Sequence, residues 1–267
     1  MTKYALIGEK LGHSYSKIIH RMYFEICKIN AEYSLIEYTR DALPNCCDNM
    51  RQDGFSGFNI TIPYKQDIMK LLDGISEEAE KIGAVNTVKL SKDKALGYNT
   101  DYYGLIKTFE KFEIQIPDKR VVILGTGGAC KAVCAVCRDL RAKEIVLVSR
   151  NPQKCKDFET VSYNEKIYGD VLINTTPVGM FPNGGFSPVN TIDNGFEAVF
   201  DLIYNPSKTA LMQIAEENGI KAVNGLYMLV AQAMRSEEIW RDENIGEEIT
   251  DRIYTDLQIK SEKGELK

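Results

Sequence analysis

The run Val121-Val122-Ile123-Leu124-Gly125-Thr126-Gly127-Gly128-Ala129-Cys130 decides the fold of this chain. Four apolar residues read as a buried strand, the glycines as a tight turn and the residues after them as the start of a helix. Glycines at such a turn let the backbone approach a pyrophosphate, and the helix N-terminus behind them offers free N–H groups and a partial positive charge. Cys130 replaces the third glycine of the usual spacing, which leaves an ordinary helix-start loop as the alternative reading. The end of the next strand sharpens the choice. An NAD site would place a carboxylate there for the ribose hydroxyls, whereas this strand ends in Ser149-Arg150. An arginine pairs with a 2′-phosphate that a carboxylate would repel, so NADP is favoured over NAD. Ser149, Asn151 and Lys154 either add bonds to the same phosphate or form an ordinary polar turn.

Working outward, strand-like runs over 144–149, 170–174, 198–203 and 221–223 alternate with helical segments, as a doubly wound parallel sheet requires. The stretch between Arg150 and Asp170 is short for a full helix, strand and second helix, so a truncated crossover helix is expected. Upstream, strands are expected over 4–8, 31–38, 57–62, 84–90 and 95–98, the last two joined by the turn 91–94. Helices are expected over 16–28, 42–52 and 102–112, and another with Pro63 in its first turn running to Leu72. Amphipathic helices over 226–240 and 246–257 are expected to return to the first domain. The fold class is α/β: an N-terminal α/β substrate domain (1–101 and 238–267) plus a Rossmann-like domain that binds NADP (102–237).

Composition narrows the function classes. The 267 residues are 44% hydrophobic and carry a formal net charge of −5, with no basic stretch interleaved with aromatics to hold a nucleic-acid backbone. No apolar run approaches the roughly 20 residues a membrane span needs. The N-terminus enters a strand pattern directly rather than a charged region followed by a long apolar one, so a cytoplasmic protein is expected. Seven irregularly spaced cysteines fit reduced thiols rather than a disulfide framework. Cys130, Cys134 and Cys137 read as buried helix residues and not as a metal site, and so do Cys46 and Cys47.

Four segments of the first domain are dense in small polar residues at strand ends: 13–16 (His-Ser-Tyr-Ser), 59–65 (Asn-Ile-Thr-Ile-Pro-Tyr-Lys), 83–87 (Gly-Ala-Val-Asn-Thr) and 97–101 (Gly-Tyr-Asn-Thr-Asp). Carboxyl ends of strands are where an α/β crevice forms, and such a lining suits a polyhydroxylated carboxylate. Taken singly, Ser14 and Ser16 also read as helix caps, Asn59 as a strand-edge amide, and Lys65 and Asp101 as solvated charges.

In this order and ahead of a glycine turn, the four segments resemble the shikimate dehydrogenase family, and the resemblance spans nearly the whole chain. It continues through Asn174-Thr175-Thr176-Pro177-Val178-Gly179-Met180, residues 201–206, and Gly225 with Met228, Leu229 and Gln232. The resemblance implies an NADP-dependent oxidoreductase that interconverts 3-dehydroshikimate and shikimate, acting on a small molecule as a monomer or homodimer without nucleic acid or membrane. It makes Lys65 and Asp101 catalytic and Lys65 a substrate contact as well, Ser14 and Ser16 ligands of the substrate carboxylate, and Thr61, Asn86, Asp101 and Gln232 ligands of its hydroxyls. It also places Asn59 near the substrate and Tyr204 close to the substrate and nicotinamide. Cofactor contacts are implied at Gly125, Thr126, Gly127, Gly128, Ala129, Thr175, Pro177, Val178, Leu202, Gly225 and Met228. The chain departs from the family at Lys10 and Lys17, where proline is usual, at Arg21, where asparagine is usual, and at Glu237, where an aromatic residue is common. A quinate or dual quinate/shikimate dehydrogenase and a noncatalytic nucleotide sensor are the competing readings.

Overall fold

The computed structural model describes residues 1–12, 14–154 and 157–263 of the chain. Two compact units emerge: Met1–Gly104 together with the chain from Leu229 onward, and Leu105–Met228.

The first unit contains β1 (Thr2–Gly8), α1 (Ser16–Cys27), β2 (Ala31–Glu37), α2 (Cys46–Gln52), β3 (Phe55–Ile60), β4 (Gly74–Ile75), α3 (Glu77–Ile82), β5 (Thr87–Leu90), β6 (Ala95–Tyr98) and the first turns of α4 (Thr100–Lys111). Its sheet has the order β2-β1-β3-β5-β6-β4. Helical crossovers return the chain to run β1 parallel to both β2 and β3, while β5 lies antiparallel to β3 and β6. Ile7, Met50, Phe58, Ile60, Tyr64, Ile68 and Val88 fill its core.

The second unit contains β7 (Arg120–Leu124), α5 (Gly128–Asp139), β8 (Glu144–Ser149), β9 (Glu159–Ser162), β10 (Val171–Asn174), β11 (Ala198–Asp201), α6 (Ala210–Glu217) and β12 (Lys221–Asn224). The order β12-β11-β10-β7-β8-β9, parallel throughout, is that of the doubly wound dinucleotide fold. Its topological switch point lies between β7 and β10. Both faces of β7, β10 and β11 are covered, which is why these strands read as unbroken apolar runs. Cys130, Cys134 and Cys137 lie on the buried face of α5 at helical spacing.

The last helices, α7 (Leu226–Arg241) and α8 (Glu247–Glu262), return to the first unit from Leu229. Trp240 on α7 stacks on Tyr4, with centroids 4.6 Å apart, and donates its indole N–H to Val88 O at 2.9 Å. Gly57 permits this approach: a Cβ there would lie 2.3 Å from Trp240 Nε1.

The structure corrects three expectations. No α-helix starts at Pro63: Tyr64 N donates to Thr61 O, Lys65 O accepts from Val85 N, and only a 3₁₀ segment, Asp67–Leu71, follows. The Lys65 carbonyl is engaged by a neighbouring segment, and Tyr64 is buried with its hydroxyl on Tyr38 O, so tertiary contacts override the local helix signal. The strand expected over 84–90 begins only at Thr87, because residues 77–82 form α3, capped by Ser76 and closed by Gly83 at φ +68. The helix expected over 42–52 is a 3₁₀ turn, Leu43–Asn45, followed by α2. Between β8 and β10 the described residues hold a 3₁₀ turn and β9 but no α-helix, as the short spacing implied.

Candidate active site

Lys65 and Asp101 meet in the first unit, Nζ to Oδ2 at 2.6 Å, with about a quarter of each side chain exposed (29% and 21%). Lys65 hangs on the turn after β3 and Asp101 on the first turn of α4. Asp101 N donates to Asn99 Oδ1 while Asn99 Nδ2 donates to Ala84 O, which fixes the start of α4 against the segment before β5. A charged amine thus stays accessible while an orienting carboxylate holds it from one side.

Next to this pair, Asn86 is buried and its Oδ1 accepts from Thr100 N at 2.7 Å and from Thr87 Oγ1 at 3.0 Å. Its Nδ2 has no protein partner among the described residues. Thr61 is half-buried, with its backbone N–H on Ile7 O and its side chain against Gly8, where a Cβ would sit 2.7 Å from Thr61 Cγ2. Ser14 and Ser16 are half-buried at the start of α1, their hydroxyls 3.1 Å apart, and Ser16 N donates to Ser14 Oγ. The adjoining His13 lies outside the described residues.

Asn59 lies deeper. Its Oδ1 accepts from Tyr33 OH at 2.7 Å, and its Nδ2 lies 2.9 Å from both Thr87 Oγ1 and Ser236 Oγ. Thr100 Oγ1 donates to Gln232 Oε1 at 3.2 Å, and Ser236 Oγ donates back to Gln232 O. Asn59, Thr87, Thr100 and Ser236 are buried, so this is a satisfied polar network behind the more open groups. Tyr33, Thr87, Thr100 and Ser236 were not among the expected site residues. The signal for Ser236 is its place one helical turn after Gln232 on an apolar face. Burial drives the Tyr33 phenol well above its usual range, the Glu237 charge adds to this, and a hydrogen bond to Ser16 opposes it.

The other departures divide. Arg21 is an exposed partner of Glu25 and Lys17 is exposed, whereas Glu237 is fully buried against His20.

In the second unit, Gly125 closes β7 at φ +100, and a Cβ there would meet Thr176 Cγ2 at 2.8 Å and Thr175 Oγ1 at 3.0 Å. Thr126, Gly127, Gly128 and Ala129 are exposed, and a Cβ on either Gly127 or Gly128 would have nothing within 4 Å. Among the described residues no side chain caps the start of α5. Its first-turn N–H groups therefore face an open, side-chain-free cradle, which fits a pyrophosphate. Ser149 is buried and accepts from Asn151 N at 3.0 Å; Arg150 is exposed and makes no ion pair among the described residues. The Lys154 side chain lies outside the described residues.

Across the switch point, Thr175 Oγ1 donates to Leu124 O at 2.7 Å, and Pro177 and Val178 are exposed. Leu202 N donates to Asn174 O. Gly225 has no alternative: a Cβ there would lie 2.0 Å from Leu202 O. Tyr204 and Met228, both half-buried, also belong to this unit.

A clasp that the site expectations did not include ties these loops. Asp201 is fully buried and accepts from Asn174 Nδ2 (2.9 Å), Thr209 Oγ1 (2.7 Å) and Ile203 N (3.1 Å). Asn174 Oδ1 in turn accepts from Thr176 N and Thr176 Oγ1. Burial lifts the Asp201 carboxyl to about 6, against the pull of its three donors.

Among the described residues no cluster of His, Cys, Asp and Glu could hold a metal ion, and no helix is long and apolar enough to cross a membrane.

Comparison with known proteins places the sequence and fold in a family. The family model for the shikimate dehydrogenase substrate binding domain matches residues 6–88. The shikimate dehydrogenase (NADP(+)) of Clostridium beijerinckii is 43% identical over 263 residues, covering 96% of this chain and 97% of that protein. A chorismate mutase/shikimate 5-dehydrogenase fusion protein from Clostridium acetobutylicum superposes with a TM-score of 0.94 at 46% identity, over 98% of this chain and 99% of that one. The shikimate 5-dehydrogenase of Thermus thermophilus, solved in complex with NADP(H) and shikimate, gives a TM-score of 0.87 at 27% identity, over 96% of this chain and 99% of that one. Sequence likeness along nearly the whole chain and a shared fold lead to one conclusion: this chain belongs to the shikimate dehydrogenase family.

Proposed function

We propose that the chain catalyses the reversible NADPH-dependent reduction of 3-dehydroshikimate to shikimate, a step toward chorismate and the aromatic amino acids, in the cytoplasm and as a monomer or homodimer. The observation that carries the reading is the Lys65–Asp101 pair at 2.6 Å, with about a quarter of each side chain exposed and Asn86 bonded to the backbone of the neighbouring Thr100.

The first unit then binds substrate and the second NADP. Ser14 and Ser16 hold the carboxylate; Thr61, Asn86, Asp101 and Gln232 hold the hydroxyls. Asn59 supports them from behind. Bound NADPH supplies the hydride. The ketone oxygen gains charge as the carbonyl carbon is reduced, and Lys65 Nζ offers it a positive charge and a proton. In the oxidation direction the same amine receives the proton from the substrate hydroxyl. Asp101 Oδ2 keeps Nζ aimed through both directions. Gly125, Thr126, Gly127, Gly128 and Ala129 with the α5 N-terminus hold the pyrophosphate. Arg150, aided by Ser149, Asn151 and Lys154, holds the 2′-phosphate. Thr175, Pro177, Val178, Leu202, Gly225 and Met228 line the path to the nicotinamide, with Tyr204 nearby.

The test offers purified protein shikimate or quinate, each with NADP⁺ or NAD⁺, and follows absorbance of the reduced nicotinamide. Shikimate with NADP⁺ is expected to turn over fastest. Preference for quinate or NAD⁺ overturns the specificity, and silence in all four pairings overturns the activity.

A further inference from the structure

His20 on α1 and Glu237 on α7 are 217 positions apart, yet both are fully buried and meet at 2.6 Å, Nδ1 to Oε1. The second imidazole nitrogen, Nε2, and the second carboxyl oxygen, Oε2, are buried with no hydrogen-bond partner among the described residues. A pair of this kind, half satisfied in an apolar interior, is a poor way to gain stability: apolar residues of the same volume commonly do as well or better. Its surroundings point to another use.

The His20 ring lies flat on Tyr33, with centroids 3.9 Å apart and planes 7° from parallel. The Tyr33 hydroxyl donates to Asn59 Oδ1, and Asn59 Nδ2 reaches Ser236 Oγ, on the residue that precedes Glu237. A closed loop results: Glu237 to His20, His20 against Tyr33, Tyr33 to Asn59, Asn59 to Ser236 and back along the backbone. On one side of the loop, Ser16 lies one helical turn before His20 on α1. On the other, Gln232 lies one turn before Ser236 on α7 and accepts from Thr100. Neither Lys65 nor Asp101 bonds to any member of the loop among the described residues.

We propose that the His20–Glu237 pair is a positioning device for substrate binding: it ties α1 to α7 and holds Tyr33 flat with Asn59 behind it, so that Ser16 and Gln232 present one fixed spacing to the substrate. This rests on the assignment of those residues to the substrate under Proposed function. Because the pair touches the supports of those ligands and not Lys65 or Asp101, its loss moves substrate affinity and leaves the chemical step.

The experiment compares the full-length chain with three variants: the double variant His20→Leu/Glu237→Leu, which leaves no orphaned polar atom; Glu237→Gln, which keeps the acceptor; and Tyr33→Phe, which keeps the ring and deletes one hydroxyl. Steady-state rates with shikimate and NADP⁺ are read beside urea unfolding. The double variant is expected to raise KM for shikimate about tenfold, the equivalent of one or two hydrogen bonds, with kcat within about threefold and KM for NADP⁺ unchanged. Glu237→Gln should stay within about threefold of wild type in KM, and Tyr33→Phe should raise KM by about that factor or more. Wild-type KM in a folded double variant overturns the proposal, as does a fall in kcat with KM untouched. If the double variant does not fold, an unchanged KM in Tyr33→Phe overturns it instead. Wild-type protein that fails to oxidise shikimate sinks the assigned activity, whereas active wild type beside unaffected variants sinks only the role of the pair.

Discussion

Asp201 makes a prediction whose sign and size both come from the site. Its carboxyl is fully buried at the end of β11, and burial raises it from an ordinary 3.8 to about 6. A folded-state value above the unfolded one means that the proton favours the fold. That contribution is complete below about pH 4 and is lost as pH rises through about 6, amounting to on the order of 3 kcal/mol by neutral pH at about 1.4 kcal/mol per tenfold change in the equilibrium. Asp201→Asn removes the titration and keeps the bonds: an amide oxygen can accept from Asn174 Nδ2 and Ile203 N, and the amide NH₂ can donate to Thr209 Oγ1. The variant should therefore gain stability relative to wild type as pH rises from about 4 to about 7.5, by that same order. Urea unfolding across this range measures it. Far-UV circular dichroism is the probe, because the single tryptophan, Trp240, belongs to the first unit and not to the one under test. A stability difference that stays flat with pH would refute the reasoning, since Asp201 would then titrate like an exposed carboxyl.

Further outcomes follow from the two site halves. Lys65→Ala should lower kcat by about 10²–10⁴ while shikimate still binds; turnover at the wild-type rate would remove Lys65 from the mechanism. Arg150→Ala should raise KM for NADP⁺ by about tenfold or more and leave KM for NAD⁺ unchanged, as loss of one charge-assisted contact requires; equal effects on both would locate the 2′-phosphate elsewhere. Gly225→Ala forces a Cβ to within 2.0 Å of the Leu202 carbonyl, and should cost about 3 kcal/mol by chemical unfolding. Gly57→Ala pushes on Trp240 Nε1 and Val88 O, so tryptophan emission should shift with a loss of about 1–3 kcal/mol.

The second unit is the more legible in sequence. Strands buried on both faces, such as β7 and β8, carry unbroken apolar runs over 121–124 and 145–148, and the tight turn after β7 has to carry Gly125, so local composition and global fold agree there. β9 escapes such a reading because Val161 is the one apolar residue among its four, too little to form a run. In the first unit the turn at Pro63 reads locally as a helix start, because the contacts that decide it come from Tyr38 and Val85, far from it in the chain. The short α3 carries too few turns to show a period, although its Ser76 cap was there to be read. Lys65 and Asp101 stand out as residues, but their contact across 36 positions needs the fold. Glu237 is visible only as a departure. That it answers His20 is a fact of two helices meeting, which no local pattern encodes.

The first unit is assembled from two separated pieces of chain, and this sets an order on biosynthesis. Tyr33, Asn59 and Thr87 emerge from the ribosome early, while the Ser236 hydroxyl that completes their bonding and the Trp240 indole that covers Gly57 emerge only after the whole of the second unit has passed. The second unit, continuous from residue 105 to residue 228, has all its strands in hand before α7 arrives. Domains fold as units while synthesis proceeds. The half of the protein that begins the chain is therefore the half finished last, and a nascent chain halted near residue 228 would hold a complete nucleotide fold together with a sheet in which Asn59 still lacks one of its partners.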